Sequence, residues 1–128
     1  MSLLPWLEPL SLNVDREGML NLAVRLIEKN TVNPPGNECA VKDVVMEYLA
    51  RISARPRVYE PAPGRCSILG YVGEGSPEVA IISHMDVVPP GDGWETDPFS
   101  PHIREGKLYG RGAVDNKGPF AASWAGVK

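Results

Sequence analysis

One histidine and two aspartates carry the chemistry this sequence can do. His84 and Asp86 stand in Ser83-His84-Met85-Asp86-Val87-Val88-Pro89, and Asp115 stands in Gly110-Arg111-Gly112-Ala113-Val114-Asp115-Asn116-Lys117-Gly118. A carboxylate beside an imidazole can accept one ring N–H, fix the tautomer and leave the other nitrogen free for a metal. Side chains alternate along extended backbone, so His84 and Asp86 fall on one side and Met85 on the other. Imidazole and carboxylate with no thiolate nearby suit zinc, with cobalt or manganese as alternatives. Taken singly, each residue also has a plain structural reading: a histidine at a strand end is often just hydrogen-bonded, and Asp115 can cap the helix that follows. The three together, at loop edges of one expected sheet, point to a site. They still fall short of the ~4 ligands of a tetrahedral zinc centre.

Positioning these groups is the task of the surrounding elements. The apolar run Val79-Ala80-Ile81-Ile82 predicts a buried strand of a mostly parallel sheet, Glu78 to Ser83, that delivers His84 and Asp86 at its C-terminal end. Upstream, Met19, Leu20, Leu22, Ala23, Leu26 and Ile27 recur at helical spacing between Asp15 and Lys29, with Asn13 or Asp15 as cap and Asn30 as stop. Asn33-Pro34-Pro35-Gly36-Asn37 is a loop. A second helix is expected over 38–52, presenting Val41, Val44, Val45, Tyr48, Leu49 and Ile52, with Asn37 as its cap. Strands follow at 57–60 and 66–72, with turns at Pro61 to Gly64 and at Gly73 to Pro77. After a proline- and glycine-rich loop from Pro89 to Pro101, His102-Ile103-Arg104 and Lys107-Leu108-Tyr109 form a hairpin around Glu105-Gly106. A last helix starts near Gly118-Pro119 and runs through Trp124. The helix faces at Leu22/Leu26 and Val41/Val45/Leu49 need a sheet to cover them, so the chain is expected to expose an apolar patch and to self-associate.

Composition narrows the class. The chain has 128 residues and a formal net charge of −3, with lysines and arginines scattered singly, so neither a nucleic-acid nor a membrane partner is expected. No apolar stretch approaches the ~18–20 residues of a membrane span. The proline-marked lead-in, Met1 to Asn13, lacks the basic start of a secretory signal and should lie over the surface. A cytoplasmic location is the default, and on it Cys39 and Cys66, in unrelated contexts, are expected to be reduced and structural.

The two motifs, together with Gly93-Trp94, Asp97-Pro98-Phe99 and the Asn33-Pro34-Pro35-Gly36-Asn37-Glu38 loop, resemble the N-terminal part of the metallopeptidase-20 family. This group holds zinc aminoacylases, acetylornithine deacetylases, succinyl-diaminopimelate desuccinylases, carboxypeptidase G and dipeptidases. The resemblance implies an α/β fold, with residues 1–128 as the first segment of a three-layer catalytic domain in which helices pack on a mixed sheet. It implies His84 as a ligand of one zinc, Asp115 as the carboxylate bridging two zincs, and Asp86 as the catalytic acid that orients His84. It also implies a cis peptide between Asp115 and Asn116.

The activity so implied is hydrolysis, by a zinc-activated water, of an amide bond in a dipeptide or N-acyl amino acid, in a homodimeric parent. The Gly-Asp-Gly-Trp and Asp-Asn-Lys-Gly-Pro details lean towards dipeptidases, and the Asn-Pro-Pro-Gly-Asn-Glu loop towards deacetylases and desuccinylases. Family members are several hundred residues long. They add a Glu-Glu pair whose first member is the general base, further ligands and a dimerisation domain, none of which is found in these 128 residues. The expectation is therefore a chain inactive on its own. The alternative is a non-catalytic fragment or binding module with a vestigial metal site. Arg111 and Lys117 are read as neutralising local acid or capping loops in preference to clamping substrate, and His102 as an exposed residue rather than a ligand.

Overall fold

The computed structural model describes residues 14–76 and 78–128. The expected lead-in, the Asn13 cap and the end of the Gly73–Pro77 turn lie outside them. Helix α1 spans Arg16–Ile27 and is capped by Asp15, whose side chain accepts the Gly18 N–H at 2.7 Å. Glu17 in its first turn and Arg25 in its last suit the helix dipole. The second helical stretch divides into a single 3₁₀ turn, Glu38–Val41, and helix α2, Lys42–Arg51. Asn37 precedes the turn without a side-chain capping bond. Strands β1, Arg55–Ala62, and β2, Arg65–Tyr71, form an antiparallel hairpin. Strands β3, His102–Arg104, and β4, Lys107–Tyr109, form a second one at the expected positions, with Ile103 opposite Leu108. Helix α3 spans Lys117–Val127.

The core lies among the three helices. Leu22 and Leu26 of α1 meet Val44, Val45 and Tyr48 of α2 and Ala121, Trp124 and Ala125 of α3. Tyr48 and Trp124 pack edge to face, with ring centroids 5.0 Å apart. The Trp124 indole donates to the Tyr48 carbonyl at 2.8 Å, satisfying an acceptor in the last turn of α2. The faces expected to await a sheet are thus covered by one another and by α3. Gly70 of β2 lies so close to α2 that a Cβ there would sit 2.8 Å from a Leu49 methyl. No helix of the described residues is long and apolar enough to cross a membrane.

Three expectations about this frame are corrected. Residues 78–86 form no strand, and Val79 and Ile82 are 86% and 91% exposed. A buried strand needs partners at both edges and layers over both faces. Among the described residues this segment gains only the parallel bridge of Val87 with Val32. Among the described residues there is therefore no mixed sheet: the strands make two separate antiparallel pairs. Cys39 and Cys66 are not free thiols but a disulfide, with Cα atoms 4.8 Å apart. The 3₁₀ turn docks against β2, where Cys39 N–H donates to the Gly64 carbonyl at 3.0 Å, and this joins two cysteines 27 positions apart.

Candidate metal centre

His84 and Asp86 are placed by the loop after α1. Thr31 Oγ1 donates to the Met85 carbonyl at 2.7 Å, Val87 N–H donates to the Thr31 carbonyl at 3.0 Å, and Asn33 N–H donates to the Val87 carbonyl at 2.9 Å. Pinned in this way, the segment turns Met85 and Val87 inward, Met85 against the helical core, and directs His84 and Asp86 together on its other side. Asp115 arrives on the turn before α3. That turn closes through Ala113 N–H to the Gly110 carbonyl at 3.1 Å and Lys117 N–H to the Gly112 carbonyl at 2.9 Å. Gly112 has φ of +93° and lies against Val87, where a Cβ would come within 2.9 Å of a valine methyl. Only glycine satisfies both conditions, and the close approach carries Asp115 to His84. The Asp115–Asn116 peptide bond is cis.

The three residues meet. His84 Nε2 lies 2.8 Å from Asp115 Oδ1. Its Nδ1 lies 3.1 Å from the Asp86 carbonyl oxygen and 3.2 Å from Asp86 Oδ1. The other Asp86 oxygen, Oδ2, accepts a hydrogen bond from Asn33 Nδ2 at 2.9 Å. Partial burial alone would lower the His84 pKa, but the hydrogen bonds to Asp115 and to the Asp86 backbone, with both negative charges, leave it raised. Asp86 is held below the usual carboxylate range by the Asn33 donor, against burial and with help from His84.

This donor set fits a divalent metal. An imidazole nitrogen and a carboxylate oxygen converge at the surface, no thiolate intrudes, and the second imidazole nitrogen already faces an acceptor as metal-bound histidines require.

Arg111 and Lys117 tie loops together. Arg111 Nη2 donates to the Pro90 carbonyl at 2.8 Å, and its guanidinium lies over the Trp94 ring, 5.4 Å from the centroid. Lys117 is buried, 2% exposed, and donates to the Lys29 carbonyl at 2.8 Å; burial lowers its pKa to about 8. His102 is half-buried rather than exposed and stacks on Tyr109 at 5.2 Å.

Two features escaped the sequence. Asn33 lay inside a stretch legible only as a loop, and nothing in the order of residues says which of its side chains turns towards Asp86. A second group of ligand-type atoms, from Cys39, Glu60 and Cys66, gathers within 4.8 Å at the hairpin. Its sulfurs are bonded to each other and so are not free to bind a metal.

A mixed α/β fold thus presents a His–Asp–Asp cluster beside a glycine-rich turn. Residues 80–128, which carry all three groups, match peptidase family M20/M25/M40. This match and the relatives that follow support that family for the chain. It is 43% identical over 105 residues to a succinyl-diaminopimelate desuccinylase of Rhizorhabdus wittichii, a match covering 80% of this chain and 28% of that protein. A desuccinylase of Xylella fastidiosa is 58% identical over 52 residues, 39% of this chain and 14% of its own length. A Bacillus subtilis protein named "Putative dipeptidase YtjP" is 54% identical over 56 residues, 44% of this chain and 12% of its own. The chain thus spans roughly a quarter, or less, of the relatives it matches.

Proposed function

We propose that residues 1–128 form the first segment of a three-layer catalytic domain in a hydrolase that cleaves the amide bond of a dipeptide or an N-acyl amino acid. His84 and Asp115 would hold a divalent metal, and zinc is the ion their donor types suit best. Bound there, the metal would supply a Lewis acid that polarises the scissile carbonyl and acidifies water. Asp86 is the orienting acid. It keeps the Nδ1 proton of His84 in place, so that the Nε2 lone pair faces the metal position beside Asp115. The observation that carries this reading is the contact of His84 with both acids, through Nε2 at 2.8 Å and Nδ1 at 3.2 Å. Relatives named desuccinylase and dipeptidase support the substrate class.

A second reading rests on the number of donors. The described residues bring His84 and Asp115 as direct ligands, two of the ~4 that zinc takes. On that count the 128 residues alone would bind metal weakly and not turn over substrate, serving as a binding module. A chelator-sensitive amidase assay on succinylated amino acids and dipeptides, run on residues 1–128 and on a longer chain that contains them, with the variants made in the longer chain and metal content measured in parallel, decides between them. Turnover that disappears in His84→Ala and Asp115→Ala together with the metal supports the hydrolase. Metal retention without turnover supports the module. Undiminished activity and metal content in both variants would sink the centre altogether.

A further inference from the structure

Asp86 can orient His84 only if its own carboxylate is prevented from rotating. A carboxylate has two equivalent oxygens and no donor, so its orientation is set by whichever groups donate to it. Here the two oxygens are divided between partners: Oδ1 faces His84 Nδ1 at 3.2 Å, and Oδ2 takes the Asn33 amide at 2.9 Å. Because an ionised carboxylate accepts only, the Asn33 side chain must present its NH₂ and not its oxygen.

The loop that carries Asn33 is braced on both sides. Towards the centre, Asn33 N–H is bonded to the Val87 carbonyl, and Val32 forms the bridge with Val87. Across its base, Gly36 N–H donates to the Val32 carbonyl at 2.9 Å. Behind it, Arg65 reaches from β2 to Glu38 at 2.7 Å and to the Pro35 carbonyl at 3.3 Å, and the Cys39–Cys66 disulfide closes the same corner. Asn33 is therefore attached to the His84 segment through its backbone and its side chain at once.

Building on the proposed metal centre, we infer that Asn33 is a positioning residue for it: the Asn33 amide fixes the Asp86 carboxylate, and through it the metal-binding face of His84. The Asn33 side chain is hydrogen-bonded to Asp86, not to His84 or Asp115, so it acts one step behind them. Groups that support a ligand from behind typically contribute about 10–100-fold in metal affinity. A residue one step further out belongs at the lower end, about tenfold.

The test uses the chain with its disulfide intact and zinc as the probe. Affinity is measured by competition with a chromogenic chelator, and the His84 Nδ1 proton is followed by NMR in the zinc-loaded protein. Asn33→Ala should weaken zinc about tenfold and speed solvent exchange of that proton until its signal broadens. Asn33→Asp, which sets a carboxylate against a carboxylate, should weaken zinc further. Thr31→Val removes the Thr31 bond to the Met85 carbonyl, which helps place the His84 segment, without touching Asp86, so it reports loosening of the loop and should weaken zinc less than Asn33→Ala and keep the His84 Nδ1 proton signal sharp. If zinc binding is lost in His84→Ala yet Asn33→Ala matches the unsubstituted chain in affinity and proton signal, the Asn33 role is overturned while the metal centre stands. An equal loss in Thr31→Val and Asn33→Ala would also overturn it, reducing Asn33 to a loop fastener. Zinc that binds His84→Ala undiminished overturns the centre and the inference together.

Discussion

Lys117 donates from Nζ to the Lys29 carbonyl at 2.8 Å, so the residue two places after Asp115 is tied to the chain just beyond α1, 88 positions earlier. The aliphatic stem is buried beside Gly112, and the amine satisfies a carbonyl near a helix end. The turn that carries Asp115 is thereby seated on the helical core. Lys117→Ala should leave both a cavity and an unpaired carbonyl, destabilising the fold by about 2–4 kcal/mol. Lys117→Met keeps most of the volume and should recover most of that loss. Urea titrations of the two variants separate packing from hydrogen bonding, and equal losses would show that the amine, not the stem, matters.

Glu47 stands between two helices. Its carboxylate meets Arg25 of α1 at 2.8 Å and Arg51 of its own helix, and these partners, Arg25 foremost, hold its pKa below the ordinary value. A depressed carboxylate pKa means that the unfolded chain binds the proton more readily than the folded one. The stabilising contribution is therefore present above the unfolded pKa, about 4.3, and is lost as pH falls through the lower folded value. Glu47→Gln should melt slightly earlier than the unsubstituted chain at neutral pH, and the two melting curves should merge in acid. Because the pairs are exposed, added salt should also shrink the difference. A gap that persists at low pH would mean Glu47 acts through packing.

The Cys39–Cys66 bond closes a loop of 27 positions. Constraining an unfolded chain over that separation is worth about 3–4 kcal/mol in the chain-entropy description. Reduction, or paired Cys39→Ser and Cys66→Ser substitution, should lower the denaturation midpoint accordingly. A midpoint unchanged by reductant would show that the cysteines contribute through packing alone.

Asp86 and Asp115 both face His84, and in the proposed centre Asp115 alone of the two serves as a ligand. Asp115→Ala should abolish measurable zinc binding, whereas Asp86→Ala should weaken it about 10–100-fold and leave it detectable. Isothermal titration of both variants checks the order. If Asp86→Ala loses zinc and Asp115→Ala keeps it, the two roles must be exchanged.

Much of this was legible before any coordinates. Helix α1 lies where Leu22, Leu26 and Ile27 repeat at helical spacing, with Asp15 as its cap, and the short hairpin lies where Glu105-Gly106 separates His102-Ile103-Arg104 from Lys107-Leu108-Tyr109. Local rules suffice for such elements, because a helix satisfies its own backbone and a tight turn fixes its own register. The strand over 78–83 was misjudged for the opposite reason. Val79 to Ile82 have strand composition, but a strand exists only with a hydrogen-bonded neighbour, and composition does not supply one.

The sequence by itself determined which groups could act: one imidazole and two carboxylates, with the alternation that turns His84 and Asp86 to one side and Met85 to the other. Only the tertiary structure decided how they are held. It drew Asp115 to His84 across 31 positions by laying Gly112 on Val87, set Asn33 behind Asp86, buried Lys117 under the turn and joined Cys39 to Cys66. Each of these is a contact between distant segments. It is decided by close packing of the three helices and the loop at Thr31–Gly36, where the whole chain fixes which pairs can approach, and no local pattern of residues encodes that choice.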